Sequence, residues 1–542
     1  MNVRPARAPG LAFEAVRSQP AISPLRSDVA GFIGRTRRGP IGAPVRVEGW
    51  RGYLREFGGL DKELDLPYAV RGYFENGGEV AWIVRTAGPR ATVSSAIWDT
   101  LDLDGILAGA VRIDAGSPGA WSEGARVTFS YRGRTSSGVK LVDVLIRAGE
   151  EGEEFRAVPA RELIPRFQPL DRRAPVSRLI GLAEVPTELA PAGAIAQGTR
   201  TVTVTLTGGA EEPPSAEDYL AAIEVLDDIP EVALLAFPDV HDLRTGARQI
   251  FRAAAEHAEA LRDRLVLIDL PLDPPEGAPP DVKARLARRV QLASRAPWLR
   301  WHADDIMRWV EEDLERGDAD RTGQVHWWRA AALYHPWVRV QDPHGGAARP
   351  YRDIAPSGHV AGVISRLDRE RGAHATPANA PLFGVIDLRE EFDDREHALL
   401  NEAGIDLVRC VPALGFSVWG GRTLDRAPMY RFIAHRRLIH RLVRAIRRLA
   451  EPLVFETNGP ALWFAFVRAI TALLLEAWRV GALAGARPEE AFQVTCDDST
   501  NPPEEIERGR CVCKIAVAPA IPMEFILIRV ALSRDGSLEV LS

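Results

Sequence analysis

Apolar and polar residues alternate over the last fifty or so residues with the period of two that marks a strand with one buried face. Phe492, Val494 and Cys496 fall on one side, and Gln493, Thr495 and Asp497 on the other. A polar turn follows over 497–510, after which Cys511, Cys513, Ile515 and Val517 share a face. Beyond Pro519 and Pro522, the run Glu524 to Leu532 places Ile526, Ile528, Val530 and Leu532 on one side and leaves Phe525 and Leu527 on the other. A strand apolar on both faces needs cover on both. That cover, or a pairing partner, is expected in another subunit.

From the start of the chain, residues 1–22 are polar and proline-punctuated, with only Leu11 and Phe13 alternating with Ala12 and Glu14 on an arm. The strand Val29 to Gly34, the helices Tyr53 to Phe57 and Pro67 to Asn76, and the strand Val80 to Val84 set an α/β rhythm. Residues 90–172 change texture to alternating runs broken by Gly, Ser and Pro, which reads as an inserted β-rich domain. The rhythm returns with helices at Ala216 to Leu226 and Arg248 to Arg262, and strands at Val232 to Phe237 and Leu265 to Leu270. Two further helices are expected over Val282 to Ser294 and His302 to Arg316, and one strand over Ala330 to Val340. Strands alternating with helices predict a mostly parallel, doubly wound sheet. Later come a helix from Glu390 to Gly404 and a strand at Leu407 to Pro412. The helix Met429 to Leu449 follows, with an apolar stripe and a basic one of Arg437, Arg441, Arg444 and Arg448. Thr457 or Asn458 is expected to cap the next helix, which runs to about Gly481.

Composition bounds the class. The 542 residues suffice for two to four domains, and 46% hydrophobic with 26% charged residues is ordinary for globular chains. A net charge of −6 argues against a general nucleic-acid binder. No apolar run near Met1 suggests a signal peptide. The segment Ala461 to Ala486 is interrupted by Arg468, Glu476 and Arg479, so a buried helix is expected there rather than a membrane span.

Candidate chemistry is thin. Cys496, Cys511 and Cys513 offer three thiols to zinc, yet no fourth ligand stands nearby and all three sit on apolar faces, so no metal is expected. Ser357, His359 and Asp239 are the residue types of a hydrolase, but no Gly-x-Ser-x-Gly elbow surrounds the serine. Gly345-Gly346 lacks the Lys-Ser/Thr ending of a phosphate loop. Trp298, Trp301, Trp309, Trp327 and Trp328 at helical spacing are expected in the core rather than on a sugar-binding face. No catalytic residue or cofactor is assigned, and a soluble α/β hydrolase-like enzyme with a β-rich accessory domain is the alternative reading.

Several blocks carry a resemblance. Gly31-Phe32-Ile33-Gly34-Arg35-Thr36-Arg37-Arg38-Gly39-Pro40 resembles the opening of contractile tail sheath proteins, as does the block from Pro67 through Gly78. So do Ala332-Leu333-Tyr334-His335-Pro336-Trp337, Pro356-Ser357-Gly358-His359-Val360-Ala361-Gly362, Pro377-Ala378-Asn379, Trp419 through Leu424, and Glu490 through Asp497. These blocks lie in the family's order and cover most of 25–90, 215–272 and 330–532. The segment 274–329 is longer and richer in tryptophan than the family's pattern, and the chain runs ten residues past Leu532.

The resemblance implies a structural, non-enzymatic subunit that polymerises helically around an inner tube and contracts to drive it through a target envelope. It divides the chain into a linking arm (1–22), an α/β outer domain (23–89 and 173–345) holding the β-rich insertion (90–172), a C-terminal α+β core domain (346–522), and a linking strand with tail (523–542). Leu11, Phe13, Phe525, Ile526, Leu527, Ile528 and Val530 are the expected subunit-linking residues, through strands exchanged between neighbours. Arg437, Arg441, Arg444 and Arg448, or Glu504, Glu505 and Glu507, are the candidates to face the tube. The implied partners are further copies of the chain, the inner tube protein, and baseplate and terminator or cap proteins, with neither nucleic acid nor direct membrane insertion. Assembly is expected in the bacterial cytoplasm, as part of a phage tail or of a released or anchored particle.

Overall fold

The computed structural model describes residues 26–99, 110–168, 176–185, 201–243, 246–272, 301–313, 327–347, 349–453, 456–521, 529–532 and 538–541. The larger of two units comprises Arg26–His440 and Pro519–Ser542, and the described part of the smaller is Arg441–Ala518. The larger begins with β1 (Ala30–Gly34), β2 (Pro44–Glu48), α1 (Gly49–Phe57), α2 (Leu66–Glu75) and β3 (Val80–Arg85). Seven strands follow: β4 (Ser95–Asp99), β5 (Ala110–Ala115), β6 (Arg126–Arg134), β7 (Lys140–Ala148), β8 (Glu151–Pro159), β9 (Ile180–Val185) and β10 (Thr201–Thr205). The α/β order resumes with α3 (Ala216–Glu224), β11 (Leu234–Ala236), α4 (Ala247–Leu261) and β12 (Leu265–Asp269). Next come β13 (Ala331–His335), β14 (Val338–Gln341), β15 (Tyr351–Ile354), α5 (Ser357–Arg371), β16 (Ala380–Pro381) and β17 (Val385–Leu388). The run closes with α6 (Asp394–Glu402), β18 (Ile405–Val411), β19 (Gly415–Trp419) and the start of α7 (Ile433–Ala450).

Nine of these strands form one sheet in the order β16-β19-β18-β13-β12-β11-β1-β3-β2. The six from β18 to β3 run parallel, while β2 and β19 are antiparallel to their neighbours. Period-two alternation splits each buried strand between two cores. Along β12, Val266 and Ile268 join the cluster under α3 and α4, and Leu265 and Leu267 join the one formed with α1, α2 and α5. Helices on both faces explain why these strands are apolar throughout. The fold is the doubly wound α/β sheet that the sequence predicts.

Several local expectations change. The run Ala330 to Val340 is two strands: β13 joins the large sheet, while β14 sits in a three-stranded sheet, β15-β14-β17. Pro336 between them has no N–H with which to continue a ladder. The β-rich part holds two sheets, β10-β6-β7-β8 and β4-β5-β9, around a core in which Trp98 stacks on Phe129 at 4.3 Å. These sheets draw strands as late as β10, past the composition border at 172, and the alternation of Thr201-Val202-Thr203-Val204-Thr205 is the signal that marks it. The structure divides at His440/Arg441 rather than at 345/346, because β18 pairs with β13 and ties the intervening residues to the large sheet.

Trp301, Trp309, Trp327 and Trp328 are buried in the core on the α3–α4 face, and the Trp301 indole N–H donates to the Pro271 carbonyl at 3.0 Å. Trp298 and the expected helix Val282 to Ser294 lie outside the described residues.

The smaller unit holds the rest of α7, then α8 (Pro460–Arg479), β20 (Phe492–Thr495), α9 (Pro503–Glu507) and β21 (Lys514–Val517). Gly459 rather than Thr457 or Asn458 stands at the N-cap of α8. The Asn458 side chain instead accepts the Trp463 indole N–H at 2.8 Å and donates to the Arg510 carbonyl at 2.9 Å. Finally, β22 (Arg529–Leu532) and β23 (Leu538–Leu541) form an antiparallel hairpin, so the residues beyond Leu532 supply a strand of their own.

Candidate assembly surfaces

A doubly wound sheet offers its ligand crevice at the carboxyl ends of strands where the order reverses, here between β1 and β11. That position is filled from within. The Asp239 carboxylate accepts the Arg35 N–H and the Tyr219 hydroxyl, and a Cβ on Gly34 would lie 2.3 Å from it. The other two hydrolase-type residues are engaged elsewhere on α5. The Ser357 N–H donates to Asp269 at 3.0 Å, and burial pushes that carboxyl up to about 7. The His359 ring packs against Gly72; burial, and then the charge of Arg71, pushes it down to about 4. Among the described residues no group of three His, Cys, Asp or Glu side chains stands in an arrangement that could hold a metal ion.

The smaller unit has the opposite character. Its helix α8 has a mean hydropathy of 1.6 over 18 residues and is long and apolar enough to cross a membrane, yet only 17% of that window is buried. The expectation of a buried helix is therefore corrected. Leu462, Trp463, Ile470 and Leu474 pack inward, while Phe464 is 68% exposed. The physical reason is the size of its support: β20 and β21 form a two-stranded ribbon, too narrow to cover more than one side of a 20-residue helix.

That ribbon has two edges, and among the described residues no further strand pairs with either. Its register sets Phe492 opposite Val517 and Thr495 opposite Lys514, and the Ala518 N–H donates to the Ala491 carbonyl at 2.8 Å. Antiparallel pairs alternate between bonded and non-bonded. Counting from Ala491 and Ala518, the Gln493–Ala516 and Thr495–Lys514 pairs bond inward. The backbone N–H groups of Val494 and Ile515 consequently point out from the two edges.

The charged candidates separate on inspection. Arg437 is buried, pairs with Asp368 at 3.1 Å and donates to the Ser27 carbonyl at 2.8 Å, so it does not face outward. Arg444 is buried as well, Arg441 is half-buried, and Arg448 is exposed. Spacing alone could not tell a solvated arginine from one that meets a carboxylate 69 residues away. Replacing Arg437 by Met is expected to destabilise the fold by about 3–5 kcal/mol, because Asp368 would keep a buried charge without its partner; a lowered denaturant midpoint checks this. On α9, Glu504 and Glu507 are exposed, and Glu505 pairs with Arg508 at 3.2 Å and with Arg510 at 2.6 Å.

Of the linking candidates, Leu11, Phe13, Phe525, Ile526, Leu527 and Ile528 lie outside the described residues. Val530 lies in β22, opposite Val540 of β23.

Among the described residues, a filled switch point, an apolar helix buried on one side and a two-stranded ribbon paired with no further strand characterise this multi-domain α/β chain. Residues 327–424 match the phage tail sheath protein central domain, and residues 425–533 the phage tail sheath C-terminal domain. Residues 327–533 are thus similar to the two domains, central and C-terminal, of phage tail sheath proteins. The chain is 29% identical to the tail sheath protein of Vibrio phage KVP40 over 190 residues, which are 34% of this chain and 27% of that relative. The match thus takes in well under two thirds of the relative's length. The anti-feeding prophage helical sheath in its contracted state superposes with a TM-score of 0.55 at 20% identity, covering 97% of this chain and 100% of that one. A sheath tail protein of Listeria innocua gives 0.57 at 12% identity, over 88% and 89%. Similarities at this level establish a shared fold.

Proposed function

We propose that the chain is the subunit of a contractile sheath, which polymerises helically around an inner tube and shortens to drive that tube through a target envelope. The observation that carries this reading is the β20–β21 ribbon of the matched C-terminal domain, neither edge of which pairs with a further strand among the described residues. Strands from neighbouring subunits complete it: the arm with Leu11 and Phe13, and the terminal run Phe525 to Val530. Backbone hydrogen bonds make such joints strong but tolerant of rotation. Because donor and acceptor are different surfaces, the contact propagates as a helix instead of closing as a dimer. The further partners are the inner tube, a baseplate and a terminator or cap, within a phage tail or a phage-tail-like particle assembled in the bacterial cytoplasm. Electron microscopy of the purified chain tests this. Hollow cylinders, alone or with the tube protein, support the reading, and dispersed particles under every assembly condition reject it.

The β-rich part is assigned to the outside of the cylinder. Thr92 and Ala210 run side by side at its root, with the Thr92 N–H donating to Ala210 at 2.9 Å. Replacing residues 93–209 by a short Gly/Ser linker therefore joins ends that already meet. Cylinders of normal length are expected from this deletion; a soluble, folded remainder that forms none would place the β-rich part in a contact.

Exposed charge serves a releasable tube contact, since surface pairs are weak and screened by salt. With Arg437 and Arg444 buried, the acidic face of α9 is the better candidate. Changing Glu504 and Glu507 to Lys is expected to lower tube co-assembly several-fold at low salt and to change it little at high salt. Equal co-sedimentation of both forms at low salt would remove α9 from the contact.

A further inference from the structure

Three of the four cysteines meet where the β20–β21 ribbon opens into its turn. Thr495 faces Lys514 at the last pair of the register; Cys496 follows directly on one strand, and Cys513 and Cys511 precede the other. The Sγ atoms of Cys496 and Cys511 are 3.9 Å apart and unbonded. Asn501 holds this arrangement from inside the turn. Its side chain accepts the Val512 N–H at 2.6 Å, donates to the Val512 carbonyl at 3.0 Å and reaches the Cys496 sulfur at 3.7 Å. Cys496 is buried with Leu462 and Trp463 of α8, whereas Cys511 and Cys513 are partly exposed.

We propose that Cys496 and Cys511 are a redox pair, closing a disulfide across the turn 497–510 when the chain meets a peroxide. Cys511, the more exposed sulfur, attacks one peroxide oxygen as its thiolate; the O–O bond breaks, giving a sulfenic acid and, with the thiol proton, one water. The Cys496 sulfur then attacks the sulfenic sulfur, the S–S bond forms, and the hydroxyl leaves with the Cys496 proton as a second water. The two sulfurs together give up two electrons, and the peroxide takes both.

The same surroundings set the pace. Burial, and then the neighbouring Cys496, pushes Cys511 up to about 11 and Cys513 up to about 12, so both are thiols at neutral pH. Thiolate is the reacting form. Closure is therefore slow near neutrality and accelerates by about tenfold per pH unit below those values. The ring carries the acidic helix α9, and closing it holds that helix against the ribbon. This assignment stands on the cysteine geometry and does not depend on the sheath reading.

The test uses the reduced full-length chain and hydrogen peroxide. The thiol count after denaturation should fall from four to two per chain. A non-reducing tryptic digest should contain peptide 480–508 joined to peptide 511–514, with fragmentation placing the bond on Cys511. Cys496→Ser should abolish the joined peptide, Cys513→Ser should retain it, and the rate at pH 9 should exceed that at pH 7 by roughly a hundredfold. The wild-type digest decides the matter even if a variant fails to fold. A bond on Cys513, a cross-link through Cys410 between chains, or four thiols surviving at pH 9 would each overturn the assignment. So would one tightly held zinc per chain that protects the three thiols from peroxide.

Discussion

Gly358→Val is expected to leave the chain insoluble or unfolded, although the substitution touches no charged or catalytic group. Gly358 and Gly362 lie one turn apart on α5, on the face that meets α2. A Cβ at Gly358 would sit 2.3 Å from the Ala69 carbonyl oxygen, and one at Gly362 would sit 2.5 Å from that of Tyr73. Both obstacles are backbone, so no side chain can swing away. The helices would have to separate, opening the core that Phe32, Tyr73, Val360 and Ile364 share. Overpacking a well-filled core costs about 1–3 kcal/mol where the site can adjust. Here it cannot, and the loss approaches the whole stability of an ordinary domain, about 5–15 kcal/mol. Gly346→Ala is the control, because a Cβ there meets nothing within 4 Å. A soluble Gly358→Val chain with an unchanged thermal midpoint would disprove this account of the packing.

That pair of glycines belongs to Pro356 through Gly362, one of the blocks that carry the family resemblance, and its meaning is steric. The sequence made such features visible wherever the cause is local. The alternation in β1, β12 and β20, the glycines of α5, and the apolar stripes of α3 and α4 follow from the chain's own periodicity. The cysteines were legible in the same way, since period two places Cys511 and Cys513 together, and Cys496 directly follows the last pair of the register. Features set by distant partners were not legible. Nothing near Arg437 in the sequence points to Asp368, and nothing near Ile405 says that β18 lies beside β13 instead of in a separate domain. Helix α8 is the instructive case. Its apolar character signals a need for cover without saying where the cover lies, and among the described residues only 17% of its apolar window is buried. For the proposed strand exchange the limit is the same: two apolar faces on Glu524 to Leu532 require partners without naming them.

The ribbon edges allow a sharper test of exchange than removing an arm, because inward and outward donors alternate along one strand. Val494→Pro deletes an N–H that the β20–β21 ladder does not use, while Gln493→Pro deletes one that it does. Proline is tolerated at a sheet edge whose N–H faces away from its partner, and is not tolerated within a ladder. In an isolated subunit Val494→Pro should therefore leave the fold nearly intact, whereas Gln493→Pro should weaken the smaller unit. In the polymer the order reverses in importance. Each added strand contributes several backbone bonds of about 0.5–1.5 kcal/mol. The proline both removes one of these and sets its ring against the incoming strand. Because the joint repeats at every subunit, a loss of even about 1.4 kcal/mol weakens each link tenfold, and long cylinders should give way to monomers and short arcs. Ile515→Pro asks the same question of the opposite edge, so the two variants together report whether one edge or both receive a neighbour. Folded monomers from either variant, judged by an unchanged thermal midpoint and the absence of cylinders in micrographs, are the expected result. Cylinders of normal length from both would show that subunits are joined elsewhere, and the uncovered face of α8 around Phe464 would then be the surface to examine.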